Sequence, residues 1–533
     1  MDSQCTVYES SRCRKKTART YGPELDSILP LVRNQSMKTC SPFTAQDSLS
    51  AQDYLDRQAQ TESNARSYPR KLPVAIRRAE GLYVSDVDGR VFMDCLCGAG
   101  TLALGHNHPS VLAAIRKHLE QGYPLHSLDL TSPVKHQFVE ELFSTFPAEF
   151  ASTARIQFCS PSGSDAVEAA IKLVKTATGR SGMVAFRGGY HGQTHGALAL
   201  MGNLGPKVPG LMPDVHFHPY PYAYRCPMRK PRCNDCTCAE FSGMALSDPE
   251  SGVALPAGMI LEAVQGEGGV IPAPTHWLRD MRGICDRKRI PLIIDEVQTG
   301  WGRTGTMYAF ESSGIVPDVV VLSKAIGGGL PLAVIVYREE LDVWKPGAHA
   351  GTFRGNQLAM ATGLATLDHI RTHDILGNVQ KMSARFMDQL FALQDRHDFI
   401  GDVRGKGLML GMEMVDPDGM DEMGNPKGNG QLARKLQAAC FAEGLIVELG
   451  GRHGAVMRLL PPLNVDAAQV DAICAVISRA CQIVDGQIRE GMPECGRTVR
   501  QPSCEEPELA NLTALAEACT TAVETCDFRS GAE

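Results

Sequence analysis

The chain has no surplus of positive charge. Its formal net charge is -7 over 533 residues, so neither nucleic acid nor an anionic membrane is an expected partner. No apolar run approaches the ~20 residues of a membrane span. The N-terminus lacks the apolar core that a secretory signal needs. A basic run from Arg12 to Lys16 is accompanied by Asp2, Glu9 and Glu24, and that acid content argues against a mitochondrial presequence. A cytoplasmic protein is expected. There is no internal repeat. The 18 cysteines are mostly scattered through apolar segments, which predicts buried thiols and not a disulfide framework.

What is present is a globular composition, 43% hydrophobic and 21% charged. A chain of 533 residues predicts two domains plus extensions. Residues 1 to about 50 are polar and aperiodic and read as a flexible extension. Ala51–Ala65 has helical spacing. Val74–Asp94 alternates, and Asp88-Gly89 predicts a hairpin turn between Leu82–Val84 and Val91–Met93. From about Pro109 to Leu367, helical stretches alternate with short apolar strands. Examples are the helix Ser164–Lys175 and the strands Gly182–Phe186 and Ala257–Glu262. This is the pattern of an α/β fold with a mainly parallel sheet and helices on both faces. A strand Gly407–Val415, a loop Pro417–Gly430, a helix Gln431–Ala442 and a strand Leu445–Leu449 predict a smaller α/β unit. The expected divisions are 1–50, 51–108 contributing to the small unit, 109–367, 368–485, and a tail 486–533.

Asp295 closes the apolar run Pro291–Ile294, and Lys324 closes Val319–Ser323. Glycines 327 to 329 follow. Short apolar runs bounded by glycine predict buried strands. A charged residue at the end of each would lie at the carboxyl edge of a parallel sheet, where open α/β folds build sites. A lysine amine and a carboxylate placed there suit pyridoxal phosphate. The amine condenses with the aldehyde, and the acid keeps the ring nitrogen protonated. A buried Asp–Lys ion pair without chemistry is the competing reading.

Other segments bear on that choice. Ser160-Pro161-Ser162-Gly163-Ser164 opens a helix, and free N–H groups of a first turn bind phosphate. A plain cap by Ser162 or Ser164 explains the same residues. Tyr190 sits among glycines after a strand and can lie flat on a ring. His191 beside it reads as a hydrogen-bonded loop histidine or a base. Glu262 and Glu267 flank Gln265 at a strand end; they form a solvated loop edge or, in this company, substrate contacts. Gln298 can hydrogen-bond the phenolic oxygen of the cofactor. Arg458, inside the apolar run Val456–Leu460, is costly unless paired. It is half of an internal ion pair, a fork for a substrate carboxylate, or each in turn.

These segments resemble the class III pyridoxal-phosphate aminotransferases. The matching stretches are Asp295–Gly305 (DEVQTGWGRTG), Ser323–Gly329 (SKAIGGG) and Gly351–Asn356 (GTFRGN). The resemblance runs from about residue 52 to 485. Within that group the chain is most similar to the diaminobutyrate–2-oxoglutarate aminotransferases, through Ser63–Arg70, Gly98–His106 and Pro124–Leu130. The resemblance implies the type I fold of pyridoxal-phosphate-dependent transferases. It implies transfer of the terminal amine of L-2,4-diaminobutyrate to 2-oxoglutarate, a reaction that feeds siderophore or ectoine synthesis in such families. Lys324 would hold the cofactor and shuttle protons, and Asp295 would pair with the ring nitrogen. Gly163 and Ser164 would bind phosphate. Thr352 would reach the phosphate from the neighbouring subunit of a homodimer. Tyr190 would stack on the ring. Arg458 would hold the α-carboxylate of 2-oxoglutarate, with Glu267 as its switchable partner. Tyr68 is a candidate pocket residue.

Two regions depart from the shared pattern. Cys233-x-x-Cys236 has metal-like spacing, and with Cys226 and Cys238 it offers four thiolates for zinc. The Cys-x-Cys step and the lack of a second well-spaced pair favour a loop of reduced thiols, so no metal ligand is assigned. The C-terminal tail has no assigned role. Competing functions are another ω-aminotransferase, acting on ornithine or 4-aminobutyrate, and a non-catalytic homologue that binds a partner.

Overall fold

The structure, a computed structural model, describes residues 49–228, 237–422 and 424–489. The chain divides into two compact units, residues 1–63 and 64–533. In the first, the helix Ala51–Thr61 starts at a reciprocal cap. The Ser50 hydroxyl accepts the Asp53 N–H at 3.2 Å, and the Asp53 carboxylate accepts the Ser50 N–H at 2.8 Å.

The second unit begins with three antiparallel strands, β1 (Ile76–Glu80), β2 (Tyr83–Asp86) and β3 (Val91–Asp94). The predicted turn joins β2 to β3. Gly89 there has φ +84°, and the buried Asp86 carboxylate accepts the N–H groups of Asp88 and Arg90.

Seven strands form the central sheet. They are β4 (Ala154–Phe158), β5 (Met183–Phe186), β6 (Val215–His218), β7 (Gly258–Leu261) and, beyond the short hairpin β8–β9 (Val264–Gln265, Ile271–Pro272), β10 (Leu292–Asp295), β11 (Val319–Leu322) and β12 (Val334–Arg338). Across the sheet the order is β4-β12-β11-β10-β7-β5-β6. β6, β5, β7, β10 and β11 run parallel. Only β12 runs against its neighbours, so the sheet is mainly parallel. Successive side chains of a strand point to opposite faces, and here each face has its own core. Ile293, Val319 and Val321 pack with Val167, Ala170 and Val174 of the helix Gly163–Thr178. Ile294, Val320 and Leu322 join the core that holds Trp277, Leu278 and Met281 of the helix Thr275–Lys288. Burial on both faces is why these strands are continuous apolar runs.

A further sheet has the order β13-β14-β18-β17. Its strands are β13 (Ile400–Lys406), β14 (Met409–Met420), β17 (Glu448–Gly450) and β18 (Val456–Leu459), with β15 (Pro426–Gly428) paired to β14. β16 (Leu445–Ile446) joins β3 in parallel. Two expectations are corrected here. The segment Pro417–Gly430 is not simply a loop: β14 runs on to Met420 and returns as β15. Pro417 fits because the register shifts between Val415 and Met420, and proline is tolerated at such irregularities. The single strand Leu445–Leu449 splits at Val447 into β16 and β17, which belong to different sheets.

A third correction concerns membrane spans. Ala467–Ile488 contains an 18-residue window of mean hydropathy 1.4 and is long and apolar enough to cross a membrane, by length and composition alone. Its side chains Val470, Ile473, Ile477, Ala480 and Val484 recur at helical spacing and are buried. They face the helices Gly430–Ala442 and Ile375–Gln394, on which this helix packs. A core stripe of this kind accounts for the hydropathy.

The helix Gln357–Thr372 props the turn that follows β11. Thr362 Oγ1 donates to the Gly327 carbonyl at 2.7 Å. A Cβ on Gly363 would lie 2.1 Å from the Ile326 carbonyl oxygen and 3.0 Å from the Phe138 ring. Gly363→Ala should therefore push the helix off this turn and cost about 1–3 kcal/mol. Thermal unfolding measures this, and an unchanged Tm would show that the contact relaxes freely.

Candidate active site

β10 and β11 lie side by side and parallel, with Asp295 opposite Val321. Both strands therefore deliver their ends to one sheet edge. Asp295 is the last residue of β10. After β11 the chain enters a single turn of 3-10 helix, Lys324–Gly327. Lys324 itself has φ +51°, which for a residue with a side chain costs about 1–3 kcal/mol and recurs at functional sites. Burial lowers the pKa of the Lys324 amine, and the charges of Glu267 and Asp295 only partly offset that.

His191, on the loop after β5, places Nδ1 2.8 Å from Asp295 Oδ2, and both side chains are buried. Burial disfavours a charged imidazole. The hydrogen bond and charge of Asp295, aided by Glu262, outweigh it and raise the His191 pKa. His191 Nε2 is buried without a partner among the described residues. Glu262 is turned inward. Its oxygens accept the N–H of Tyr190 at 2.9 Å and of Gly266 at 3.0 Å, so it braces two loops. Burial, with Asp295 nearby, pushes it up to about 7.

The predicted anion loop lies beside this edge. Ser162 caps the helix Gly163–Thr178 and accepts the Ser164 N–H at 3.2 Å. The Asp165 carboxylate accepts the Ser160 N–H at 2.7 Å and meets His349 Nε2 at 3.1 Å. A Cβ on Gly163 would stand 3.0 Å from Val297 Cγ1, so glycine lets the loop lie against the turn that follows Asp295. Ser164 Oγ accepts the Gln193 N–H at 3.3 Å, which ties the loop to the Tyr190–His191 segment. Gln298 Nε2 donates to the Ala99 carbonyl at 3.1 Å. Thr352 stands on an exposed segment, its carbonyl 2.7 Å from His126 Nε2.

The other side of the site is built on β17 and β18, where Glu448 and Arg458 are opposite each other. Arg458 is fully buried. Its Nη2 lies 2.6 Å from Glu267 Oε1 and 2.6 Å from Glu448 Oε2. Its Nε and Nη1 find no partner among the described residues. Glu267 sits on the glycine-rich connection between β8 and β9. Tyr68 donates its hydroxyl to Glu448 Oε1 at 3.0 Å. A cavity of about 260 Å³ opens here, lined by Tyr68, Lys71, Tyr190, Glu267 and Glu448 among others. Sequence reasoning missed Glu448 and Lys71. The signal that flagged Arg458, a charge inside an apolar run, was equally present at Glu448.

Pyridoxal phosphate fits this set. Lys324 offers a desolvated amine, and Asp295 with His191 offers a fixed anion for a ring nitrogen. The capped helix offers N–H groups at a loop where a Cβ on Gly163 would crowd Val297. Residues 64–481 match the family model of class-III aminotransferases.

The chain belongs to the class-III aminotransferases. It is 57% identical over 431 residues to a diaminobutyrate–2-oxoglutarate aminotransferase of Rhizobium meliloti, covering 80% of this chain and 92% of the relative. A protein of the same description from Haemophilus influenzae is 49% identical, covering 79% and 93%. Among solved structures, an amine transaminase from an uncultivated Pseudomonas species in its PLP-bound form is 28% identical, with a TM-score of 0.71 over 80% of this chain and 98% of that one. An (S)-enantioselective ω-transaminase from Thermomicrobium roseum is 26% identical, with a TM-score of 0.73 over 82% and 99%.

Of the four cysteines weighed for zinc, Cys233 and Cys236 lie outside the described residues, and Cys226 and Cys238 are buried. Cys159, Asp165 and His349 place possible ligand atoms within 4.8 Å of one another. Asp165 and His349 already hold each other and the anion loop.

Because its pKa is lowered, the Lys324 amine stays neutral at a lower pH than an exposed lysine, whose pKa is about 10.4. Uptake of pyridoxal phosphate by the cofactor-free protein, followed by absorbance, should keep its rate well below that pH. An inflection at the ordinary lysine value would contradict the desolvated amine. Lys324→Ala is expected to lack the visible band of the bound cofactor altogether.

Proposed function

We propose that this aminotransferase uses pyridoxal phosphate to move the terminal amino group of L-2,4-diaminobutyrate onto 2-oxoglutarate, giving L-aspartate 4-semialdehyde and L-glutamate, reversibly and by ping-pong kinetics. The observation that carries the reading is Arg458, buried and covered by an acid on a glycine-rich hairpin. Such a pair serves two substrates in turn. Glutamate brings an α-carboxylate beside its reacting amine. The terminal amine of diaminobutyrate sits on a carbon that bears none. The likeness to relatives named for diaminobutyrate, over 92–93% of their length and 79–80% of this chain, supports the choice of donor.

When bound, pyridoxal phosphate supplies a carbonyl for the amine and a ring that accepts the electrons of the bond broken beside it. Asp295, backed by His191, holds a negative charge against the ring nitrogen. Gly163 and Ser164 would present N–H groups to the phosphate, Tyr190 would cover a ring face and Gln298 would meet the phenolic oxygen. Lys324, whose neutral form burial favours, would take the proton from the substrate carbon bearing the reacting nitrogen and deliver it to the cofactor carbon that the amine joins. Arg458 grips the α-carboxylate of glutamate or 2-oxoglutarate when Glu267 swings aside. Glu267 covers Arg458 when the terminal amine reacts.

We also infer a homodimer in which Thr352 completes the phosphate site of the neighbouring subunit. Leu125, Leu128, Leu130 and Phe353 are 47–68% exposed. They cluster about Thr352 through the His126–Phe353 ring contact at 5.6 Å and the Arg354–Asp129 pair at 2.6 Å. A patch of that kind on a soluble chain marks an interface. Buried thiols such as Cys95, Cys285 and Cys440 suit a reducing cytoplasm.

An assay of diaminobutyrate, ornithine and 4-aminobutyrate against 2-oxoglutarate tests the substrate. Diaminobutyrate is expected to give the highest kcat/KM, and preference for either of the others would replace it. Glu267→Ala should move preference towards α-amino acids by at least about tenfold, and an unmoved ratio would rule out the switch. For the assembly, Leu130→Asp should halve the mass seen by light scattering and weaken cofactor retention. A monomeric parent protein would refute the shared site.

A further inference from the structure

Arg458 carries one positive charge and touches two carboxylates. Two carboxylates against one guanidinium leave one negative charge in surplus, and a surplus buried carboxylate is costly unless a cation meets it. The two acids also differ in freedom. Glu267 sits on a glycine-rich connection with its side chain 37% exposed, and Glu448 is 11% exposed. Glu448 is held by the β17–β18 register and by the Tyr68 hydroxyl on Oε1, while its buried Oε2 lies 2.6 Å from Arg458 Nη2 without a hydrogen bond among the described residues. It cannot serve as the swinging cover. It lines the cavity together with Tyr68 and Lys71.

A diamino acid that reacts at its terminal amine carries an ammonium and a carboxylate at its far end. We propose that Glu448 is the specificity residue that receives this distal α-ammonium, with Lys71 of the same cavity serving the α-carboxylate. The inference rests on the diaminobutyrate reading. A fixed, desolvated acid oriented by a hydroxyl is a strong receptor for an ammonium. Burial disfavours the Glu448 anion, with Glu267 adding to it against Arg458, and an arriving ammonium relieves that penalty. A site built this way rejects the analogue that lacks the charged group far more than a merely apolar pocket would. That analogue exists: 4-aminobutyrate is diaminobutyrate without the α-amine. The converse analogue, 1,3-diaminopropane, keeps the ammonium and lacks the carboxylate.

The test compares half-reactions of the holoenzyme, read by cofactor absorbance, for diaminobutyrate, 4-aminobutyrate, 1,3-diaminopropane and glutamate. In Glu448→Gln the ratio of kcat/KM for diaminobutyrate over 4-aminobutyrate should fall on the order of 10²-fold, with 1,3-diaminopropane falling alongside diaminobutyrate. Tyr68→Phe, which keeps the ring and removes the orienting hydroxyl, should move the same ratio in the same direction by about 3–10-fold. It carries the test if Glu448→Gln does not fold. Lys71→Met should lower diaminobutyrate and 4-aminobutyrate relative to 1,3-diaminopropane. If Glu448 were only a second clamp on Arg458, its loss would weaken glutamate and leave the diaminobutyrate ratio unmoved. An unmoved ratio in a protein that does use diaminobutyrate overturns this inference alone. A parent protein that does not use diaminobutyrate overturns the substrate reading and the inference with it.

Discussion

The carboxylate of Asp295 is 5% exposed at the end of an apolar strand, and an ion in that position needs a partner that is always there. His191 is that partner at 2.8 Å. Removing one half of such a pair costs about 3–5 kcal/mol, because the other charge is left stranded. The loop after β5 is thus held against β10 by electrostatics, and Tyr190 and the Ser164 contact come with it. Glu262 reinforces the arrangement by tying Tyr190 to Gly266. The ring-facing side of the site is rigid because an anion had to be buried there.

The same rule operates on the substrate side with the signs reversed. Arg458 is a fully buried cation, and β17 sets Glu448 opposite it as a permanent counter-ion. That leaves Glu267 free of structural duty. A single acid would have had to choose between stabilising Arg458 and uncovering it. Two acids separate the tasks. On the proposed reading, the fixed one keeps the guanidinium from being bare in any state, and the one on the glycine-rich connection leaves when a substrate carboxylate arrives.

Much of this was legible in the sequence because parallel strands buried on both faces announce themselves. Leu292–Asp295 and Val319–Leu322 are continuous apolar runs, and the polar residue at the end of each is conspicuous. Arg458 stood out for the same reason. What the sequence hid depends on pairing between distant segments. Leu445–Leu449 reads as one strand, yet Val447 divides it because β3 takes one half and β18 the other. That division turns Glu448 towards Arg458, and no local pattern encodes it. Pro417–Met420 looks like loop because proline, glycine and acids are written there, but an irregular edge pairing tolerates all three. Ala467–Ile488 contains enough small and apolar residues to pass for a membrane span, and only its packing partners reveal a core stripe.

The division of labour in the chain follows from these pairings. Asp295 and Lys324 hang on the neighbouring strands β10 and β11, and His191 reaches Asp295 from the loop after β5, which lies beyond β7 in the same sheet. The cavity wall is different. Tyr68 and Lys71 come from the segment just before β1, and Glu448 comes from 380 residues later. They meet because β16 pairs with β3 and β17 follows at once. A substitution in either distant segment can tilt Tyr68 against Glu448 without touching the edge that holds Asp295 and Lys324. The two sides are not independent, because the charges of Glu267 and Glu448 still act on the Lys324 amine.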